Sequence, residues 1–211
     1  MSYRVKEIFY TLQGEGARAG RAAVFCRFAG CNLWSGQERH RPTAICQFCD
    51  TDFVGTDGPG GGKFSTADEL AAAVETAWAG NSTDRRYVVC TGGEPLLQLD
   101  EQACAALRER GFEIAIETNG TIEVPSGVDW ICVSPKDGAA LVVHSGDELK
   151  LVFPQAGLQP AEVSELDFEH FYLQPMDGEH RAEATEQAVA YCLEHPSWQL
   201  SLQTHKLIGI P

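Results

Sequence analysis

The chain has 211 residues, 44% of them hydrophobic, and its formal net charge is −14. This length and this share of apolar residues predict one domain over residues 1–211 with a continuous core, and they argue against a disordered chain. The acidic balance, without a Lys- or Arg-rich tract, argues against binding to nucleic acid or to an anionic membrane, and no apolar run reaches the ~18 residues of a transmembrane helix.

Three amphipathic helices are predicted along the chain. The first begins at Thr66, because a Thr followed three residues later by Glu69 forms a capping box ahead of an apolar stripe. Asp100 predicts the start of a second helix, which Gly111 ends. The third covers about residues 182–194, where apolar side chains recur at helical spacing.

Short apolar runs around these helices predict strands at residues 23–28, 87–90, 113–117, 130–133, 148–153, 171–173 and 199–203. Strand followed by helix, repeated, is the α/β pattern. The connections at 120–129 and 136–147 are too polar and too often broken by Gly or Pro to hold a good helix. We therefore predict an abridged, partial TIM-type (β/α) barrel of about six strands and three helices. Residues 81–83 match an N-glycosylation acceptor pattern, but we interpret them as a loop.

Polar segments that contain Gly or Pro follow four of the predicted strands, at residues 91–95, 117–120, 134–136 and 174–176. In a (β/α) barrel the carboxyl ends of the strands form the active-site face. The four segments are therefore predicted to line one pocket.

The eight cysteines divide into two groups. The first residues of the chain do not resemble a signal peptide, so we expect a cytoplasmic protein with reduced thiols rather than a disulfide framework. Five cysteines lie in apolar runs, where a free thiol packs like a small hydrophobic side chain, and these are Cys26, Cys90, Cys104, Cys132 and Cys192.

The other three cysteines, Cys31, Cys46 and Cys49, lie in a polar segment with the spacing C-x14-C-x2-C. Three thiolates can satisfy three irons of a [4Fe–4S] cluster and leave the fourth iron open. A structural zinc site would need a fourth ligand, and His40 is a candidate without ligand-like spacing. A zinc-stabilised binding module is therefore the alternative from another class of protein.

Two motifs near these cysteines resemble the radical S-adenosylmethionine (SAM) superfamily. The residue before the last of the three cysteines is the aromatic Phe48, and residues 92–95 read Gly-Gly-Glu-Pro, similar to the SAM-binding motif at the end of the second barrel strand. The superfamily normally has three residues between its first two cysteines, whereas this chain has fourteen, in an extended cluster-binding loop at about 31–49. Residues 34–45 of that loop are predicted either to cover the cluster or to fold as a small helix.

Residues 7–16, 25–32 and 49–51 resemble the 7-carboxy-7-deazaguanine synthase (QueE) family, some members of which carry such an extended gap. This resemblance implies a carbon–nitrogen lyase that converts 6-carboxy-5,6,7,8-tetrahydropterin to 7-carboxy-7-deazaguanine with loss of ammonia, in queuosine and 7-deazapurine biosynthesis. It implies a [4Fe–4S] cluster, SAM and Mg²⁺ as cofactors. It also implies a flavodoxin or ferredoxin as electron donor, and a homodimer. Another radical SAM enzyme, such as a glycyl-radical activase, is the alternative, although that enzyme would need a groove for a partner chain.

The resemblance also implies the site residues. The cluster ligands would be Cys31, Cys46 and Cys49, and Thr51 would bind magnesium with Asp50 as weaker support. Glu117 is the candidate catalytic residue. Cofactor contacts are expected from Phe48, Cys49, Asp50, Gly92, Gly93, Glu94, Ser134, Pro135, Lys136, Gln174, Pro175 and Met176. Substrate contacts are expected from Leu12, Gln13, Gly14, Glu15, Arg27, Thr91, Asn119, His205 and the carboxylate of Pro211.

Overall fold

The computed structural model describes residues 2–80 and 84–211, so the loop predicted at 81–83 lies outside the described residues. The strands are β1 (Tyr3–Leu12), β2 (Ala22–Phe28), β3 (Gly62–Phe64), β4 (Arg86–Gly92), β5 (Phe112–Thr118), β6 (Trp130–Val133), β7 (Ser145–Phe153), β8 (Asp167–Pro175) and β9 (Trp198–Leu200). The α-helices are α1 (Ala67–Ala77), α2 (Glu101–Glu109), α3 (Pro160–Val163), α4 (Arg181–Glu194) and α5 (Thr204–Ile208). The α/β class is confirmed.

All strands belong to one open sheet in the order β3-β1-β2-β4-β5-β6-β7-β8-β9. The strands from β2 to β9 run parallel, whereas β1 pairs antiparallel with both β2 and β3. The two edge strands do not pair with each other, which agrees with the predicted partial barrel.

The predicted count of about six strands is too low, because the described sheet has nine. The seven predicted runs correspond to β2 and β4–β9, and the additional strands are β1 and β3. In β1 a register shift between Val5 and Glu7 interrupts the alternation of buried and exposed residues that predicts a strand. β3 has three residues, too few to show any period.

The three long helices begin and end close to where the sequence predicts. Thr66 Oγ1 accepts a hydrogen bond from the Glu69 amide at 3.1 Å, while the Glu69 carboxylate accepts from the amide of Ser65 rather than that of Thr66. Asp100 Oδ1 accepts from the Ala103 amide at 2.9 Å, and Gly111 follows α2 with φ +77°. The connections 120–129 and 136–147 hold no helix.

Two apolar clusters lie between the sheet and its helices. Leu70 and Val74 of α1 and Leu107 of α2 belong to the first cluster, with β2, β4 and β5, and Ala188 of α4 belongs to the second, with β7 and β8. Within residues 2–80 and 84–211, no helix is long and apolar enough to cross a bilayer. Helices α1, α2 and α4 pack on the sheet through these clusters, and the carboxyl ends of the strands remain available for a site.

Candidate active site

A cavity of about 380 Å³ lies at the carboxyl ends of the parallel strands. The structure brings all four polar segments that follow predicted strands to its wall, together with residues 12–15, 46–52 and the C-terminal residues. The predicted site residues that line it are Leu12, Gln13, Gly14, Glu15, Arg27, Cys46, Phe48, Cys49, Asp50, Thr51, Thr91, Gly92, Gly93, Glu117, Asn119, Ser134, Lys136, Gln174, Pro175, His205 and Pro211. Those that do not line it are Cys31, Glu94, Pro135 and Met176.

Two of the three grouped cysteines line the cavity. Cys46 and Cys49 are on its wall, and their thiols share a hydrogen bond that lowers the pKa of Cys49 to about 6 and, with burial, raises that of Cys46. Cys31 does not line the cavity but lines a separate, more open pocket, and its Sγ accepts a hydrogen bond from the Leu33 amide at 3.4 Å. Burial raises the pKa of the Cys31 thiol.

The donor set of this cysteine group fits an iron–sulfur cluster better than a zinc ion. Within the described part of the chain, no three His, Cys, Asp or Glu side chains are arranged to hold one metal ion. His40, the candidate fourth zinc ligand, places Nδ1 2.8 Å from Ser35 Oγ. In a [4Fe–4S] cluster each thiolate binds a different iron, so the three sulfurs do not need to converge on one ion.

The Gly-Gly-Glu-Pro segment holds the loop of Cys31 against the end of β4. A Cβ on Gly92, which has φ +138°, would lie 2.7 Å from the Phe28 nitrogen, and a Cβ on Gly93 would lie 2.8 Å from Cys31 Cβ and clash with the Gly30 oxygen. The Glu94 amide also donates to the Gly30 oxygen at 2.9 Å. These glycines therefore allow two backbone segments to pack closely, which positions the first cysteine.

Glu94 itself is fully buried behind the cavity wall. Its carboxylate accepts hydrogen bonds from the Leu96 amide at 3.0 Å, the Thr118 hydroxyl at 2.8 Å and the Asn119 amide at 2.8 Å. Burial raises its pKa in spite of these bonds. These three hydrogen bonds use both acceptor sites of Oε1 and one of Oε2, so one site on Oε2 remains for the predicted cofactor contact.

A buried lysine joins two carboxylates of the cavity wall. Lys150 Nζ lies 2.7 Å from Glu15 Oε2 and 2.7 Å from Glu117 Oε2, while Gln13 Nε2 donates to Glu117 Oε1 at 3.1 Å. Burial alone would lower the pKa of Lys150, but the facing negative groups raise it well above its ordinary value. Burial alone would raise the pKa of Glu15, but Lys150 holds it below its ordinary value.

Sequence reasoning missed Lys150, although β7 carries a detectable signal. The residue stands between Leu149 and Leu151, both fully buried, in the second half of β7, which is otherwise apolar from Leu149 to Phe153. A lysine in such a run is rarely buried without a partner. The run therefore predicts a buried ion pair, but it does not identify the carboxylates.

The loop that carries Gln13 and Glu15 rests on a second buried carboxylate, Glu148. Glu148 Oε2 accepts from the Ala17 amide at 3.0 Å, and its side chain occupies the space that a Cβ on Gly16 would fill. Gly16 has φ +63°, which favours glycine. Burial raises the pKa of Glu148. Glu148 thus holds the backbone of this loop in place through the Ala17 amide.

Arg27, a predicted substrate contact, lies on the cavity wall at the end of β2. Its Nε donates to Glu7 Oε1 at 2.7 Å, and its guanidinium lies 5.9 Å from the Phe9 ring centroid. Glu7 and Phe9 also line the cavity and were not predicted. Because Nε carries the bond to Glu7, the two terminal nitrogens are left for a bidentate contact.

The predicted cofactor residues on β6 and β8 make contacts mainly with each other and with the protein. Lys136 Nζ donates to the Ser134 carbonyl at 2.6 Å and hydroxyl at 2.7 Å, and lies 5.9 Å from the Phe48 ring. Burial lowers the pKa of Lys136. Gln174 Oε1 accepts from Ser201 Oγ at 3.1 Å.

Asn119, predicted to contact substrate, lines the cavity, but other residues use its amide group. Asn119 Nδ2 donates to Asn32 Oδ1 at 2.9 Å, and its Oδ1 accepts from the Thr121 amide at 3.0 Å. Since Asn32 follows Cys31, Asn119 holds the cysteine loop against the end of β5.

The C-terminal segment follows β9 and is hydrogen-bonded to the end of β1 and to the loop after it. The Thr204 amide donates to the Gly14 carbonyl at 3.0 Å, and the Thr11 hydroxyl donates to a Pro211 backbone oxygen at 2.9 Å. The His205 ring occupies the space that a Cβ on Gly14 would fill, and burial lowers the pKa of His205. This segment thus forms part of the cavity wall.

Two residues of the C-terminal segment also hold Asp50. Lys206 Nζ lies 2.5 Å from Asp50 Oδ2 and 2.6 Å from Asp177 Oδ2, and Gln203 Nε2 donates to the same Asp50 oxygen at 3.3 Å. Thr51 Oγ1 lies 3.5 Å from the other Asp50 oxygen. Lys206 and Gln203 were not predicted, because nothing local in the sequence relates them to residue 50.

Comparisons with known proteins agree with this geometry. A model of the Radical SAM superfamily matches residues 40–205, a span that begins inside the long loop and leaves out Cys31. The 7-carboxy-7-deazaguanine synthases of Caulobacter vibrioides and Bordetella pertussis are 67% and 66% identical to this chain over 211 residues, with all of each chain covered. The crystal structure of QueE from Escherichia coli is similar with a TM-score of 0.73 at 28% identity, covering 97% of this chain and 95% of that one.

Proposed function

Because this chain belongs to the radical SAM superfamily and, within it, to the 7-carboxy-7-deazaguanine synthase family, we propose that it converts 6-carboxy-5,6,7,8-tetrahydropterin to 7-carboxy-7-deazaguanine with loss of ammonia. The product would enter 7-deazapurine and queuosine biosynthesis. The observation that supports this most strongly is the cavity itself, whose wall contains two of the three grouped cysteines together with the Glu15–Lys150–Glu117 network. We propose that residues 1–211 act as one domain.

Cys31, Cys46 and Cys49 would hold three irons of a [4Fe–4S] cluster. When bound, the reduced cluster and SAM supply a 5′-deoxyadenosyl radical that removes a hydrogen atom from the substrate. Phe48, Ser134, Gln174 and the other predicted cofactor residues on the wall would bind and orient SAM beside the cysteines. Glu94 would act behind this wall by fixing the backbone of Asn119.

The part of the cavity wall formed by Gln13, Glu15, Arg27, Glu117 and Lys150 would bind and orient the pterin. Arg27 would pair with the substrate carboxylate through its terminal nitrogens, because Nε is held by Glu7. The donors and acceptors of the pterin edge would form hydrogen bonds with Gln13, Glu15 and Glu117, while Lys150 holds one oxygen of each carboxylate in place. Glu117 would hold or release a proton at Oε1, the oxygen that Gln13 contacts, as ammonia is lost.

We propose that Mg²⁺ assists this reaction through the Thr51 hydroxyl, with Asp50 in support. Magnesium prefers oxygen ligands and keeps several waters, so one protein ligand and the substrate carboxylate are sufficient. Lys206 and Gln203 occupy one oxygen of Asp50, which favours Thr51 as the direct ligand. A flavodoxin or ferredoxin would supply the electron, the chain would act as a homodimer, and the reducing cytoplasm would preserve the thiols.

The test is turnover of the anaerobically reconstituted protein with the carboxytetrahydropterin, SAM, Mg²⁺ and dithionite, followed by mass spectrometry of the products. We expect carboxydeazaguanine and about four irons per chain. The Cys49→Ala variant is the control, since it should lose both the iron and the product. Zinc without iron would instead support a binding module, and a loaded cluster without product would support a different radical SAM reaction.

A further inference from the structure

The long loop between the first two cysteines reaches back to the third. Within it, the 3₁₀ helix Glu38–Thr43 carries Arg41. Arg41 Nη1 donates to the carbonyl of Gln47 at 2.9 Å and to the carbonyl of Cys49 at 3.1 Å. One guanidinium therefore holds two carbonyls of the segment that contains the C-x2-C pair.

This guanidinium is itself fixed on its other sides. Arg41 Nε and Nη2 form a two-pronged ion pair with the carboxylate of Glu38, at 2.7 and 2.6 Å. The guanidinium carbon lies 4.0 Å from the centroid of the buried Trp34 ring, which packs edge-on against Phe53 at 5.5 Å. A planar group held by an ion pair and an aromatic face is pre-organised for the bonds that it donates.

The positive charge of Arg41 lies next to the third cysteine, because Arg41 Nη1 is 3.1 Å from the carbonyl oxygen of Cys49. A positive group near an iron–sulfur cluster favours the reduced form, because that form carries one more negative charge.

We propose that Arg41 is a positioning residue of the cluster site, which holds the Cys46–Cys49 segment by its carbonyls and raises the reduction potential of the cluster. The inference rests on the proposed function, because it requires the three cysteines to hold a [4Fe–4S] cluster. It gives the fourteen-residue gap a role, since the loop supplies this arginine from within the gap. Of the two alternatives predicted for residues 34–45, the structure thus has the small helix.

Arg39 offers a matched control in the same helix. Its side chain is exposed, and its Nε lies 3.2 Å from His40 Nε2. No described contact joins Arg39 to the carbonyls of the cysteine segment. Arg39→Gln and Arg41→Gln therefore remove the same charge from the same helix, but only the second removes the tether. Arg41→Lys keeps the charge and loses the planar fork.

The experiment compares these three variants with the wild type after anaerobic reconstitution. Iron content and far-UV circular dichroism check loading and folding. Redox titration followed by electron paramagnetic resonance gives the potential, and iron release to a chelator gives the lifetime of the cluster. The change in the resonance spectrum on addition of SAM reports the geometry of the open iron.

We expect Arg41→Gln to release iron ~10-fold faster than the wild type, the lower end of what removal of an outer-shell partner costs a metal site. Its potential should be more negative, and its SAM-induced spectrum should be altered. Arg41→Lys should release iron nearly as fast, with a potential close to that of the wild type, and Arg39→Gln should match the wild type in every measurement.

Equal potentials and equal iron release in Arg41→Gln and Arg39→Gln would overturn the inference. If Arg41→Gln folds but binds no cluster, the result supports the role of Arg41 in holding the Cys46–Cys49 segment. Cluster binding by Arg41→Lys then shows whether a positive charge at this position is sufficient. If the wild type binds no cluster, the proposed function is contradicted. Failure of this inference alone looks different, because the wild type then binds the cluster and only the variants fail to differ.

Discussion

Replacement of Lys150 by Met tests whether the cavity is built around a buried ion pair. The Lys150 side chain is 4% exposed and its ammonium lies 2.7 Å from a carboxylate oxygen on each side, while the side chains of Glu15 and Glu117 are 16% and 20% exposed. Met has a similar length and no charge, so Lys150→Met leaves two carboxylates facing each other without a counter-ion. The main effect should therefore be electrostatic rather than a packing defect.

The magnitude follows from the burial of the group. Removing one partner of a buried ion pair costs about 3–5 kcal/mol, because a charge is left desolvated and unpaired. Gln13 still donates to Glu117, and Gln203 still donates to Glu15, so the lower end of this range applies. For a chain of this size, about 3 kcal/mol corresponds to a fall of roughly 6–12 °C in the melting temperature.

Thermal unfolding of the anaerobic protein measures this change, and Lys206→Met is the matched control. Lys206 also lies between two carboxylates, but its side chain is 31% exposed, and such pairs contribute about 1 kcal/mol or less. The double variant Lys150→Met/Glu117→Gln should recover part of the lost stability, because it removes one of the opposed charges. The reasoning is refuted if Lys150→Met lowers the melting temperature no more than Lys206→Met does.

Three further results are expected from the same geometry. Gly93→Ala should fold but bind little iron, because its Cβ would displace the loop of the first cysteine. Gly62→Ala is the control and should bind iron normally, since its Cβ would have no neighbour nearer than 3.7 Å. Equal iron contents in the two variants would contradict this prediction. Glu148→Gln should raise KM several-fold with little change in kcat, since it loosens the substrate-facing loop without touching the substrate, and a fall in kcat alone would argue against this role. Because Lys150 lowers the pKa of Glu15, this ion pair stabilises the folded protein at pH values above 4.5, the ordinary pKa of glutamate, and the stabilisation is lost as the pH falls through the pKa of Glu15 in the folded protein. The melting temperatures of the wild type and Lys150→Met should therefore converge on acidification. A difference that stays constant with pH would show that the pair does not titrate.

The features that the sequence predicted correctly are local ones. A helix start depends on side chains within one turn, so Thr66 and Asp100 could be identified as caps without knowledge of the fold. Parallel strands covered by helices are continuous apolar runs, so β2 and β4–β9 were found, while β1, with its shifted register, was not. Once the strands were known, their carboxyl ends predicted where the polar segments meet.

The features that the sequence could not predict depend on residues far apart in the chain. Lys150 finds its carboxylates on β5 and on the loop after β1, and Lys206 finds Asp50 across 156 positions. Glu94 belongs to the recognised motif, yet its surroundings show that its carboxylate binds the protein's own backbone. A motif therefore predicts where a residue lies more securely than what it touches.

The two segments that complete the cavity outside the sheet are joined to each other at Asp50. Asp50 follows Cys49 directly, and it receives hydrogen bonds from Gln203 and Lys206 of the C-terminal segment. Gln203 also donates to Glu15, in the loop after β1 that lines the cavity. Because one amide side chain contacts both the cysteine segment and this loop, a displacement of the cysteine segment strains the hydrogen bond that holds Glu15. The order of the cluster loop and the order of the substrate pocket are therefore physically coupled, although no strand pairing connects them.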